Sequence, residues 1–296
     1  MSPTNRHWPC PACCSEDSTA WGEKDGFLFR RCRSCGTLAT DPGAAQDLYD
    51  HYYDRASFTT PAVVRASLQR LVLSAERYRV SGRWLDIGFG EGGLLEAAAA
   101  QGWQCYGTEV SERVLEHARA RGFWVSARAQ EDPRFAAEGF DVVSLIEVLE
   151  HVSEPRSLVQ AAARWLRPGG LFYATTPNGR SLNRWVFGAA WSVFSPPEHL
   201  TLWTGAGLSR ALRHYGLSPL EIRTEGLNPN ELLSRLRRRP GNETVPSRND
   251  TGLALNAALS SSPARRRFKA LANAALSRLQ LGDTLKVRAV RLGGES

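Results

Sequence analysis

Trp84-Leu85-Asp86-Ile87-Gly88-Phe89-Gly90-Glu91-Gly92 reads as a buried strand running directly into a glycine-rich turn, with Gly93 to Gln101 following as a helix. Glycines at 88, 90 and 92 let the backbone turn tightly and approach a ligand at a helix N-terminus. The spacing is G-x-G-x-G, whereas a dinucleotide-binding turn has G-x-G-x-x-G. Asp86, at the end of the strand, separates the readings further. A carboxylate beside the loop repels a pyrophosphate and suits a ligand carrying positive charge. Glu109 closes the second strand, Gln104 to Thr108, 19 residues after Gly90. An acid at this station accepts hydrogen bonds from ribose hydroxyls in nucleoside-binding folds.

Outward from this loop, strands and helices alternate, the pattern of a parallel α/β sheet. Helix Ser111–Arg121, with Ser111 as N-cap, leads to a short strand Trp124–Ser126. Strand Phe140–Ile146 is followed by helix Glu154–Trp165 and strand Gly170–Thr175, then by strands Leu217–Thr224 and Thr284–Leu292.

These stretches resemble the class I S-adenosylmethionine-dependent methyltransferases, in the broad group that includes quinone, sugar and natural-product O-methyltransferases. The resemblance rests on Trp84–Gly92, Tyr106-Gly107-Thr108-Glu109, Phe140-Asp141-Val142-Val143, Glu147–Val152 and Leu166-Arg167-Pro168-Gly169-Gly170, and covers residues 83 to about 225. It implies a Rossmann-like seven-stranded sheet that ends in a β-hairpin. It implies S-adenosyl-L-methionine as cofactor, with Asp86 serving the methionyl end through its ammonium or an ordered water, Gly88, Phe89, Gly90 and Gly92 forming the cradle, and Glu109 on the ribose. By the same resemblance Glu131 or Asp132 accepts the adenine amino group, although the glycine usual before this segment is replaced here by Ala127 or Arg128.

Beyond the cofactor loop, Glu147-Val148-Leu149-Glu150-His151 follows the fourth strand of the sheet, at the carboxyl edge where open α/β sheets bind ligands. A helix there places Glu147, Glu150 and His151 on one face, a set able to hold a divalent cation. It resembles the E-x-x-E-H pattern of small-RNA 2′-O-methyltransferases, which points to Mg²⁺ at Glu147, Glu150, His151 and His199. His199, in Ser195-Pro196-Pro197-Glu198-His199, is read as a general base or as the last metal ligand. Glu147 and His151 complete the candidate catalytic set. The alternative is that these residues fix the loop by hydrogen bonds. Trp185, Phe187, Trp191, Phe194 and Trp203 suit either the wall of an acceptor pocket or ordinary core packing.

The N-terminal stretch carries a separate signal. Cys10 and Cys13 form one Cys-x-x-Cys pair and Cys32 and Cys35 another, with 18 residues between them. That spacing is one of a four-thiolate zinc site. A disulfide framework is the rival reading and belongs to secreted chains. His7 is an available substitute ligand, and Cys14 and Cys105 are left over. The chain is therefore divided into a zinc ribbon at 1–42, a helical connector or lid at 43–80, and a methyltransferase domain at 81–296. The connector holds a helix from Ala44 to about Tyr53, with Tyr49, Tyr52 and Tyr53, and a second from Pro61 to about Tyr78.

Net charge is +7, and residues from Gly226 onward carry 13 Lys/Arg against 5 Asp/Glu. The excess thus sits in a basic, helix-rich insertion at 226–283, inside the terminal hairpin, where it serves as a solvated helical face or attracts phosphates. No apolar run is long enough to span a bilayer and the start is polar, so a cytoplasmic enzyme is expected. The expected activity is O-methylation of a small-molecule acceptor, a sugar or phenolic hydroxyl, in a biosynthetic pathway. The alternatives are an RNA methyltransferase gripping phosphates through ribbon and insertion, and a non-enzymatic zinc-ribbon interaction protein.

Overall fold

In the computed structural model, residues 9–40, 58–129, 131–135, 139–228 and 263–293 are described. The predicted turn at 41–43, the helix at 44–53 with its three tyrosines, Gln130 and residues 229–262 of the insertion lie outside them.

The strands expected around the glycine loop form one sheet. β4 (Arg83–Ile87), β5 (Gln104–Thr108), β6 (Trp124–Ser126), β7 (Phe140–Ile146) and β8 (Leu166–Pro177) are parallel, and β10 (Leu217–Glu225) and β11 (Thr284–Arg291) close one edge in the order β10-β11-β8-β7-β4-β5-β6. β11 runs antiparallel to both neighbours, so the last two strands form the terminal hairpin. Parallel strands are covered on both faces and read as continuous apolar runs. β7 obeys this, with six of its seven residues buried. Helices α1 (Ala62–Ala75), α2 (Gly93–Ala99) and α3 (Glu112–Ala120) contribute Val72, Leu95 and Leu115 to one face; α4 (Pro155–Trp165) and α6 (Gly205–His214) contribute Val159 and Leu212 to the other. Ser111 occupies the N-cap of α3, although its hydroxyl makes no capping bond.

β8 begins at Leu166, four residues before the strand read from sequence, because Arg167 has work at that edge. Its Nε donates to Asp141 Oδ1 at 2.5 Å, while Oδ2 accepts from the N–H of Val80 and Gly82 at 2.9 and 2.6 Å. Burial alone would raise the Asp141 carboxyl, but Arg167 and the two amides hold it below the ordinary range. This clamp ties the entry to β4 onto the centre of the sheet.

The ribbon has a sheet of its own, β1 (Ser18–Lys24), β2 (Phe27–Cys32) and β3 (Leu38–Ala39), but its fourth strand, β9 (Thr201–Leu202), comes from the chain just before α6. Cys10, Ala12, Cys32 and Cys35 pack in the same apolar cluster as Trp203, Leu208 and Ala211. In the insertion, α7 (Pro263–Leu279) returns onto β10, where Thr224 Oγ1 donates to the Leu276 carbonyl at 2.9 Å. No helix among the described residues is long and apolar enough to cross a membrane.

Candidate active site and cysteine cluster

The glycine loop folds over the end of β5, with the N–H of Gly88 donating to Thr108 O at 2.8 Å. Gly88 has φ +65°, and a Cβ there would stand 2.7 Å from Val148 Cγ2, so both backbone and space require glycine. Glu109 is buried, its Oε2 accepting from Gly90 N–H at 3.1 Å and its Oε1 from Val110 N–H at 2.7 Å. Asp86 is 3% exposed; Ser144 Oγ donates to its Oδ1 at 2.6 Å and itself accepts from Trp84 Nε1 at 2.8 Å. Burial pushes the Asp86 carboxyl up to about 7 against the Ser144 hydrogen bond, and the nearby Glu109 charge adds to the rise.

These residues surround a cavity of about 580 Å³ that also takes in Thr60, Pro61, Val64 and Leu68 from α1 and its approach, and Glu147, Val148 and His151 from the turn after β7. Two acids at one end and a glycine cradle with no Cβ suit a nucleoside with a cationic tail. Glu131 and Asp132 do not line this cavity: Glu131 pairs with Arg128, and Asp132 is drawn to Arg134, which holds its carboxyl below the ordinary range.

The segment after β7 is not helical. Glu147 has φ +53°, its N–H is taken by Thr175 O at 2.9 Å, and a turn closes with His151 N–H on Val148 O at 3.0 Å. The expected shared face of Glu147, Glu150 and His151 is therefore replaced by a different grouping: ligand atoms of Glu150, His151 and His199 lie within 4.8 Å of one another, without Glu147. Glu150 is fully buried. Its Oε2 accepts from Thr176 Oγ1 at 2.9 Å, while Oε1 has no hydrogen-bond partner among the described residues. Burial first, and then Glu147, raise its carboxyl well above the ordinary range.

His151 Nδ1 lies 2.8 Å from Glu198 O and His199 Nδ1 2.6 Å from Val193 O. A carbonyl only accepts, so both rings carry hydrogen on Nδ1 and turn Nε2 elsewhere. The rings meet edge-on at 4.7 Å, and His151 Nε2 stands 3.8 Å from Glu150 Oε1. His151 lines the cavity, whereas His199, 9% exposed, packs behind it. Two imidazoles and a carboxylate can pass a proton among themselves or hold a zinc-like cation. They do not suit Mg²⁺, which prefers an oxygen shell.

Of the five aromatics after β8, Trp191, Phe194 and Trp203 are fully buried core, while Trp185 is 61% exposed. Phe187, at the end of α5 (Leu182–Phe187), packs against the ribbon cluster.

The four ribbon thiols come together as the spacing predicts. Cys10 and Cys35 Sγ are 3.6 Å apart, as are Cys13 and Cys32, and all four lie within 4.8 Å of one another. Each pair sits on the same turn: Cys14 N–H bonds to Cys10 O and Gly36 N–H to Cys32 O, both at 2.9 Å. The residue after each pair is left-handed, Gly36 at φ +77° and Cys14 at φ +61°. Cys14 therefore occupies a glycine position, and its exposed thiol is no ligand. Cys14→Gly is expected to raise the unfolding free energy by about 1 kcal/mol, read from denaturant midpoints; an unchanged or lowered midpoint contradicts the strain argument. The cluster is bound to the body of the protein through Thr204, whose Oγ1 donates to Cys35 O at 2.6 Å and accepts from Gly207 N–H at the start of α6.

Comparison with known proteins agrees with this architecture. The sequence profile of a family described as "Methyltransferase domain" matches residues 52–222. The chain is 35% identical over 146 residues to a ubiquinone biosynthesis O-methyltransferase of Idiomarina loihiensis, covering 47% of this chain and 56% of that one. It is 31% identical over 206 residues to the protein of the same name from Hahella chejuensis, covering 62% and 83%. The chain thus spans little more than half the length of the first relative and most of the second. Its fold matches the crystal structure of a SAM-dependent methyltransferase from Archaeoglobus fulgidus with TM-score 0.51 at 18% identity, covering 77% of this chain and 93% of that one. With a seven-stranded sheet ending in an antiparallel hairpin, an acid-flanked glycine cradle and a family match over more than half its length, the chain belongs to the class I S-adenosylmethionine-dependent methyltransferases.

Proposed function

We propose that this protein methylates a hydroxyl oxygen of a small acceptor, a sugar or a phenol, with His151 receiving the proton. The observation that carries this is His151 itself, which lines the cofactor cavity with Nδ1–H tied to the Glu198 carbonyl, so that in the neutral ring Nε2 is the basic nitrogen. Likeness to enzymes named for O-methylation supports oxygen as the acceptor atom. When bound, S-adenosylmethionine supplies a methyl group on a cationic sulfur. Around it Glu109 is suited to accept the ribose hydroxyls and Asp86 to face the ammonium. The α1 approach, Thr60 to Leu68, covers one side of the cavity and favours a lid role for that helix. His199 is assigned a positioning role: its ring backs that of His151, and Glu150 offers an unpartnered oxygen to a proton passed back from the imidazole. Zn²⁺ on Cys10, Cys13, Cys32 and Cys35 is assigned a structural role.

The test follows labelled methyl from S-adenosylmethionine onto a panel of catechols and monosaccharides, with amines and RNA alongside. Label is expected in hydroxyl compounds only; label confined to amines or RNA overturns the reading. His151→Ala is expected to lower turnover by about 10²–10⁴-fold with cofactor affinity unchanged, and His199→Ala by roughly tenfold. Normal turnover in His151→Ala removes it as the base.

A further inference from the structure

Arg184 is the one arginine among the described residues that is more than nine-tenths buried, at 7% exposure. Its Nε donates to Gly179 O at 2.8 Å, and its two Nη groups have no hydrogen-bond or carboxylate partner among the described residues. The guanidinium lies 4.9 Å from the ring centre of exposed Trp185 and 5.8 Å from that of Trp21. Arg31, on β2 of the ribbon, and Arg180 are close enough for their charges to act on it, both are exposed, and neither forms an ion pair among the described residues. Arg31 on the ribbon and Arg180 on the loop after β8 thus add positive charge around Arg184, with no acid among the described residues offsetting it.

We infer that Arg184, Arg180 and Arg31, flanked by Trp21 and Trp185, form an anion subsite that holds a phosphate ester or diphosphate carried by the methyl acceptor. A packing role for Arg184 between two indoles accounts for the stacking but not for two further cations beside it. Burial and then the charges of Arg31 and Arg180 pull Arg184 down to about 10, a cost that a bound anion reverses. Three cations match a multiply charged phosphoryl group better than a single carboxylate, and planar forks bind phosphate oxygens in pairs.

The position fits an acceptor end. Gly179 and Arg180 come one residue after the end of β8, whose Thr176 holds Glu150. On the ribbon side Trp21 stacks on Phe194 at 4.9 Å with 9° between planes, next to Val193, whose carbonyl holds His199. The subsite is thus joined from both sides to the Glu150–His151–His199 group. This inference rests on the small-acceptor reading above.

Inorganic pyrophosphate is the probe, titrated into the full-length protein with tryptophan fluorescence as the signal, because Trp185 and Trp21 border the site. Saturable binding is expected. The double variant Arg31→Gln/Arg180→Gln, changed only at exposed positions, is expected to bind about tenfold more weakly with its melting temperature and S-adenosylmethionine affinity intact. Arg184→Lys keeps the charge and loses the fork, and is expected to bind more weakly than wild type. Equal binding by wild type and the double variant overturns the subsite, as does the absence of saturation. A short RNA that displaces pyrophosphate about 100-fold more tightly, with a steep salt dependence, also overturns it in favour of a polymer site. Since no arm reads methyl transfer, failure here leaves the labelling test of the hydroxyl reading untouched.

Discussion

Asp86→Asn is expected to weaken S-adenosylmethionine binding by at least about tenfold at neutral pH and to abolish its pH dependence. The Asp86 carboxylate is 3% exposed, fixed by Ser144, and borders the cavity beside the glycine cradle. Held at about 7 by burial, it is largely protonated in mildly acidic solution. A cation binds only the ionised form well, so in the wild type binding must displace a proton below that pH. Affinity is therefore expected to rise toward a limit of about tenfold per pH unit between about pH 5 and 7 and to level off above. The stability of the free protein carries the opposite sign. A carboxyl raised from its ordinary 3.8 to about 7 stabilises the fold at low pH, and that contribution is lost as pH rises through this window. Calorimetric titration across the pH range checks the affinity. A flat wild-type profile, or Asp86→Asn binding like wild type, removes Asp86 from the cofactor site.

What the sequence made legible follows from how local each signal is. The sheet could be read because each parallel strand is a short apolar run bounded by glycine or a helix, and the cysteine cluster because two tight turns repeat one spacing. Sequence reading failed where a distant partner decides the backbone. Residues 147–151 are a passable helix in isolation, but Thr175 O captures Glu147 N–H and continues the β7–β8 ladder for one more residue, forcing the left-handed bend. Val148 then lies against Gly88, a contact no spacing rule contains. β3 and β9 are two residues each and are fixed only by distant pairing, β3 between β2 and β9 with Arg31 and Leu202 both opposite Leu38. No periodicity fits in two residues. The His151–His199 pair was half legible, since both histidines stood out but their order relative to the cavity depends on how residues 188–200 pack under the ribbon. Arg184 was hidden among the aromatics that surround it, and only its lack of a carboxylate partner among the described residues makes it conspicuous.

That dependence on the ribbon leads to the second large effect. Cys32→Ser, or treatment with a strong chelator, is expected to lower the melting temperature by roughly 10–20 °C and to abolish turnover while leaving cofactor affinity within about threefold of wild type. Structural zinc contributes about 10 kcal/mol or more to an isolated finger. Here part of that is retained by the β3–β9 pairing and the shared apolar cluster, so a fall in stability rather than global unfolding is the expected outcome. The loss of turnover has a specific route. Cys35 O anchors Thr204; the neighbouring Trp203 donates from Nε1 to Leu149 O at 3.2 Å; and the N–H groups of Leu200 and Thr201 both bond to Glu150 O. On the other side of the ribbon, Lys24 Nζ donates to Phe194 O beside the carbonyl that orients His199. Loosening the cysteine knuckles therefore releases His199, Glu150 and the backing of His151 together. Asp86, Glu109 and the glycine cradle are held by β4, β5 and β7 and touch none of these bonds. Measured well below the variant's own melting temperature, turnover and cofactor binding should separate. If they fall in parallel the ribbon supports the whole domain, and if the melting temperature does not move the thiols hold no ion.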